Sequence, residues 1–290
     1  MAQFLYRRCP KAGTTSLNEY LKNIPGIYMS PVKEPNFFSE NTISENYPVS
    51  KIRKNSEYLK LFDGVKEEKI LGEASTSYLS DPEVIHKIHK INPQSHILIS
   101  LRDPVERAFS HYLMHIRTTW LTSSLNDELQ KFMSIKFDYS TPHLKLEHGL
   151  YFEDVKRYLD IFGPKQVKII IFEEWIKNIE QTIQEILNFL GLTISKIHIN
   201  PMTYNEYEMF RGKISKHILR SKTIGTIAKA TMTKSQRDSV RKKFFKRGEK
   251  PQMTAQDRKI LIDFYKDDVR KLENLIGRKL PWKNFATEHS

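Results

Sequence analysis

Two short stretches of this chain carry residue types suited to holding an anion. Pro10-Lys11-Ala12-Gly13-Thr14-Thr15-Ser16-Leu17 follows an apolar strand pattern and opens a helical one. Backbone N–H groups at a helix N-terminus carry partial positive charge and bind phosphate. Gly13 lets the backbone approach closely, Thr14, Thr15 and Ser16 add hydroxyls, and Lys11 adds a mobile cation. A Walker A loop needs Lys directly after its last Gly and then Ser/Thr for magnesium. Here Lys11 precedes Gly13 by two residues, so the loop suits phosphate without an evident metal ligand. A plainer reading also stands: a capped helix after a lysine-bearing turn.

The second stretch is Leu101-Arg102-Asp103-Pro104-Val105-Glu106-Arg107-Ala108-Phe109-Ser110-His111-Tyr112. Arg102 falls at a strand's carboxyl end, where a planar guanidinium can grip phosphate bidentately. Ser110, two turns into the following helix, can donate a hydroxyl to the same anion. Asp103 with Pro104 after it reads as a helix cap. Arg107 is the rival basic residue, and its favoured reading is a solvated side chain or a partner of Glu106 or Asp103.

The elements that position these stretches follow from periodicity. Expected strands are Gln3–Cys9, Ile27–Met29, Lys69–Leu71, His96–Leu101 and Val167–Phe172. Expected helices are Thr14–Asn23, Ser56–Phe62, one capped by Asp81 with Pro82 first, one capped by Asp103, Tyr151–Phe162, Ile179–Leu190 and Thr254–Ile276. Strands alternating with helices predict an α/β fold, a parallel sheet with helices on both faces. Ligands of such sheets bind at the carboxyl ends of the strands, where both anion-binding stretches fall.

Composition narrows the function classes. The chain has 290 residues, 39% of them hydrophobic, which suits one large domain. It shows neither a membrane-spanning apolar run nor a signal-peptide core. One cysteine, Cys9, excludes an intrachain disulfide. These features point to a cytoplasmic setting, or to a catalytic piece of a membrane-anchored parent. The net charge of +13 is concentrated in residues 211–250, with fourteen Lys/Arg against two acids. Such a block attracts anionic partners. Three readings are open for it: a solvated helical insert, a rim binding an acidic glycan, or an amphipathic helix on an anionic membrane surface. No recognition motif supports nucleic acid.

On these residues the sequence resembles the sulfotransferase family. PKAGTTSL resembles its 5′-phosphosulfate loop and LRDPVERAFSHY its 3′-phosphate motif. Gly72–Leu79 (GEASTSYL), Gly149–Gly163 and Leu272–Trp282 also match. The likeness is nearest the branch of heparan-type glycan and bacterial sulfotransferases. It implies a P-loop-NTPase-like sheet, one sulfotransferase domain over 1–290, and 204–253 as a basic insert or lid. It implies the donor PAPS (3′-phosphoadenosine 5′-phosphosulfate), no metal, and a hydroxyl or amine acceptor, foremost a carbohydrate. Lys11 would stabilise the leaving group, and Lys11, Ala12, Gly13, Thr14, Thr15 and Ser16 would hold the 5′-phosphate. Arg102 and Ser110 would hold the 3′-phosphate. Lys33-Glu34-Pro35-Asn36-Phe37-Phe38 matches the segment carrying the family's base, which makes Glu34 the base; the plainer reading is a surface acid paired with Lys33. Lys246-Arg247-Gly248 is a weaker match to a segment reaching the 3′-phosphate. The chain departs from the family at Arg7, Arg8 and Cys9, where small residues are usual, and at Ala74, where some glycan enzymes have Lys. Two other classes stay open: a P-loop-like kinase or NTPase, and a non-catalytic binder of nucleotide or polyanion.

Overall fold

The computed structural model describes residues 4–8, 11–39, 52–117, 123–134, 144–194, 208–210, 245–247 and 251–286. These fall into two compact units. The first comprises Met1–Ala108, Lys145–Met202 and Lys259–Ser290, and the second Phe109–Leu144 and Thr203–Arg258.

The first unit is built on five parallel strands in the order β2-β3-β1-β4-β5. They are β1 (Phe4–Arg8), β2 (Ile27–Met29), β3 (Ile70–Ser75), β4 (His96–Leu101) and β5 (Val167–Ile171). This is the α/β architecture expected. The arginines ending β1 leave the ladder in register: Arg7 lies opposite Ser75 and Ile99, and Arg8 opposite Ser100.

Interior strand β4 is mostly apolar and wholly buried from Ile97 to Leu101, as a strand covered on both faces must be. On one face Leu98 joins a core with Leu17 and Leu21 of α1 (Thr14–Lys22). Ile183, Ile186 and Leu187 of α8 (Ile179–Phe189) complete it. Ile97 and Ile99 alternate to the other face. The helices α3 (Pro82–Ile91) and α6 (Phe152–Phe162) pack on each other, and α6 packs on β5.

Caps fall where the side chains supply acceptors. Asp81 Oδ1 accepts from Glu83 N–H at 3.0 Å to open α3. Asp103 Oδ1 accepts from Val105 N–H at 2.9 Å to open α4 (Pro104–Arg117). The start of α6 is capped from far along the chain. Asp268, on the long α9 (Ala255–Ile276), accepts from Tyr151 N–H at 2.6 Å and Phe152 N–H at 3.2 Å. The remaining helices are α2 (Asn55–Lys60), α5 (Leu125–Ser134) and the single turn α7 (Phe172–Trp175), with a short 3₁₀ turn at Thr76–Tyr78.

The second unit includes α5 and an antiparallel pair, β6 (Glu208–Phe210) with β7 (Phe245–Arg247). The basic block 211–250 lies outside the described residues except for β7, and so do the side chains of Lys246 and Arg247. Arg107 departs from its expected solvated state. It is fully buried, and its Nη2 donates to the Lys145 carbonyl at 2.9 Å and to Tyr265 Oη at 3.4 Å. Helical phase turns it into the interior, where it ties α4 to the 145–149 turn.

Candidate active site

The loop after β1 has an alternating backbone. φ is +75° at Lys11 and +73° at Gly13, and not positive at Ala12 between them. Such alternation gathers successive N–H groups into a concavity that suits an anion. Gly13 is also the N-cap of α1, with φ 73° and ψ 17°, so the helix start adds its own free N–H groups. A Cβ on Gly13 would stand 2.5 Å from Phe172 Cε2 and also inside contact distance of Trp175. Only glycine fits there. Lys11 is the opposite case, a non-glycine residue held in the left-handed region that the surroundings must maintain.

What maintains it is the end of β4. Arg102 Nη1 donates to the Lys11 carbonyl at 2.8 Å, and Ser100 Oγ donates to the Ala12 carbonyl at 3.1 Å. The two stretches therefore meet directly. The Arg102 guanidinium also lies 4.8 Å from the centroid of the Phe172 ring. Its buried Nε has no partner among the described residues. An unmet donor beside the loop is what an arginine awaiting an anion presents.

The corner around Arg102 is braced on three sides. Tyr151 Oη donates to the Arg102 carbonyl at 2.9 Å. Glu173 accepts from Asp103 N–H at 3.1 Å and from Trp282 Nε1–H at 3.1 Å. Asn284 Nδ2 donates to Asp103 Oδ2 at 2.8 Å. Burial pushes the Asp103 and Glu173 carboxyls upward, each opposed by the hydrogen bonds it accepts. The segment around Leu280–Trp282 thus acts at a distance, fastening the strand-to-helix corner that carries Arg102.

Glu34 reaches the same loop by another route. Its segment is pinned to the end of β3 and the 3₁₀ turn after it. Glu34 N–H donates to the Ala74 carbonyl at 3.0 Å, Asn36 N–H to Ser75 Oγ at 3.2 Å, and Ser77 Oγ to Asn36 Oδ1 at 2.7 Å. Phe37 stacks on Tyr58 with ring centroids 4.3 Å apart, and Phe38 is buried against Tyr78. Tyr78 is fully buried. φ is positive at Glu34 (56°) and Asn36 (51°). Asn accepts that conformation readily; Glu does so only when held. Lys33 joins the segment to the loop. Its Nζ donates to Thr15 Oγ1 at 2.8 Å and stands 3.8 Å from Glu34 Oε1. Thr76 Oγ1 donates to Glu34 Oε2 at 3.4 Å. The Lys33–Glu34 pairing is present, and it ties the carboxylate to the loop after β1.

The first unit thus brings Lys11, Ala12, Gly13, Thr15, Glu34 and Arg102 into one connected set. Ser16 and Thr14 occupy the first turn of α1; the Thr14 side chain lies outside what is described. Ser110 lies half-buried on the part of α4 that belongs to the second unit. Sequence reasoning missed Ser100 and Glu173, and it gave Lys33 only as a partner of Glu34, without its bond to Thr15. The one signal available for Ser100 was a hydroxyl inside an otherwise apolar run. Among the described residues no group of three or more His, Cys, Asp or Glu could hold a metal. No described helix is long and apolar enough to cross a membrane.

Comparison with known proteins gives the family. A model of the sulfotransferase domain matches residues 8–275. Human carbohydrate sulfotransferase 15 is 26% identical over 243 residues, covering 63% of this chain and 42% of its own length. The membrane-associated sulfotransferase kil1 of Dictyostelium discoideum is 28% identical over 160 residues, 54% of this chain and 31% of that protein. The chain therefore spans less than half the length of these curated relatives. A crystal structure of a sulfotransferase from Alicyclobacillus acidocaldarius superposes with a TM-score of 0.71 at 29% identity over 97% of each chain. The family match over most of its length shows that the chain belongs to the sulfotransferase domain family.

Proposed function

We propose that this chain moves a sulfuryl group from PAPS to a hydroxyl or amine of an acceptor, a carbohydrate foremost. One observation carries the reading: Arg102 donates to the Lys11 carbonyl at 2.8 Å, which joins the loop suited to a 5′-phosphate to the arginine suited to a 3′-phosphate. A nucleotide phosphorylated at both ends matches such a pair. The carbohydrate acceptor is suggested by the name of the human relative.

In this reading the amides of Ala12 to Ser16 and the Thr15 and Ser16 hydroxyls bind the 5′-phosphate. Arg102 binds the 3′-phosphate. PAPS supplies a sulfuryl group activated by its phosphate leaving group. Glu34 takes the proton from the acceptor as the acceptor's oxygen or nitrogen bonds to sulfur. The bond between sulfur and the bridging oxygen breaks, and its electron pair leaves with adenosine 3′,5′-bisphosphate. Lys11 and the loop amides stabilise the charge that collects on that oxygen. In-line positioning supplies most of the remainder. Lys33 holds Glu34 beside the loop.

Thermal shift separates this from an NTPase. Adenosine 3′,5′-bisphosphate at about a hundred times its Kd should add roughly 2.7 kcal/mol of stability, while ATP with magnesium adds little. Labelled sulfate should then pass from PAPS to a member of a glycan and alcohol panel. Stabilisation by ATP–magnesium alone would reverse the assignment, and binding without turnover on any acceptor would favour a non-catalytic nucleotide-binding protein.

A further inference from the structure

We propose that Ser100 is a positioning residue for the donor's 5′ end, acting with Arg102 as a two-point clamp on the loop's carbonyls. The inference rests on the donor assignment above and adds to it a residue that touches no substrate.

Residues 98, 100 and 102 project to the same side at the end of β4. Leu98 packs in the apolar core beside α1 and α8. One step on, Ser100 is fully buried, where a hydroxyl is costly unless it is bonded. Its Oγ donates to the Ala12 carbonyl at 3.1 Å, and one step further Arg102 donates to the Lys11 carbonyl at 2.8 Å. Ser100 near the end of β4 and Arg102 just past it thus take two successive carbonyls of the loop.

A trans peptide places its C=O and the following N–H on opposite sides. Drawing the Lys11 and Ala12 carbonyls onto β4 therefore turns the Ala12 and Gly13 N–H groups away from it. Those are two of the amides assigned to the 5′-phosphate. The clamp also accounts for the positive φ of Lys11, since a conformation disfavoured by local sterics persists only where neighbours over-determine it. Without the Ser100 hydroxyl, Ala12 keeps a buried carbonyl with no donor from β4, and the peptide between Ala12 and Gly13 is free to rotate toward another partner.

Ligand selectivity tests this. Calorimetry on wild type and Ser100→Ala would use adenosine 3′,5′-bisphosphate, 5′-AMP and 3′-AMP, with competition against the bisphosphate for the weaker two. Ser100→Ala should bind the bisphosphate and 5′-AMP roughly five- to tenfold more weakly and 3′-AMP as wild type does. Equal losses for 3′-AMP and 5′-AMP would overturn the proposal by reducing Ser100 to general packing. Unchanged affinity for all three would also overturn it. If Ser100→Ala does not fold, Ser100→Cys keeps the volume with a weak donor, and the same pattern is expected of it. Wild-type protein that binds none of the three would remove the donor assignment itself, and this inference with it.

Discussion

Gly13→Ala is the perturbation whose cost can be worked most fully. A side chain at φ +73° costs roughly 1–2 kcal/mol. The new Cβ would also stand 2.5 Å from Phe172 Cε2 and collide with Trp175, an overpacking worth roughly 1–3 kcal/mol more. The total, about 2–5 kcal/mol, corresponds to a melting point lower by roughly 5–15 °C for a domain of this size. The damage should extend beyond stability, because the Phe172 ring lies under the Arg102 guanidinium. A ring pushed aside moves Arg102 and the carbonyl clamp together, so adenosine 3′,5′-bisphosphate should bind at least about tenfold more weakly. Gly191→Ala is the control. Its φ is +72°, yet nothing lies within 4 Å of its added Cβ. That variant should lose only about 1 kcal/mol and keep full nucleotide affinity. Differential scanning calorimetry with a binding titration reads both quantities. A Gly13→Ala protein that melts and binds like Gly191→Ala would refute the argument that the loop is wedged against Phe172.

Three further outcomes follow from the same geometry. Lys11→Ala should abolish sulfuryl transfer while leaving the melting point within a few degrees of wild type; retained turnover would remove Lys11 from the chemistry. Glu34→Gln should reduce kcat by about a hundredfold or more and spare nucleotide affinity, and unchanged kcat would exclude Glu34 as the base. Asp154, whose side chain is only 14% exposed, is pushed up to about 7 by burial, against the pull of Arg157. The folded state therefore holds its proton between about pH 4 and 7 while the unfolded state does not, so stability falls as pH rises through that window. The full difference is at most roughly 4 kcal/mol. Asp154→Asn should flatten that fall in urea titrations between pH 5 and 8, and equal slopes for variant and wild type would contradict it.

The fold was legible because its signals are local. Apolar runs such as His96–Leu101, caps such as Asp81 and Asp103, and Gly13 at a loop-to-helix junction each act on their own neighbours. The site was legible only at its ends. Arg102 and Lys11 could be named from their strand-to-helix corners, but their direct contact spans 91 positions and has no local signature. Ser100 was hidden for the same reason: within HILISL it reads as a tolerated small residue until the loop carbonyl is placed above it. The burial of Arg107 was not legible because it depends on helical phase against partners far along the chain, Lys145 and Tyr265. The departures at Arg7 and Arg8 proved compatible with the sheet, since ladder pairing uses backbone groups that every residue supplies.

The most direct measurement is a crystal structure of the chain with adenosine 3′,5′-bisphosphate. The 5′-phosphate should accept hydrogen bonds from amides between Ala12 and Ser16, and the 3′-phosphate should lie against Arg102 while its Nη1 keeps the Lys11 carbonyl. A nucleotide bound elsewhere, or one whose 3′-phosphate points away from Arg102, would contradict the account.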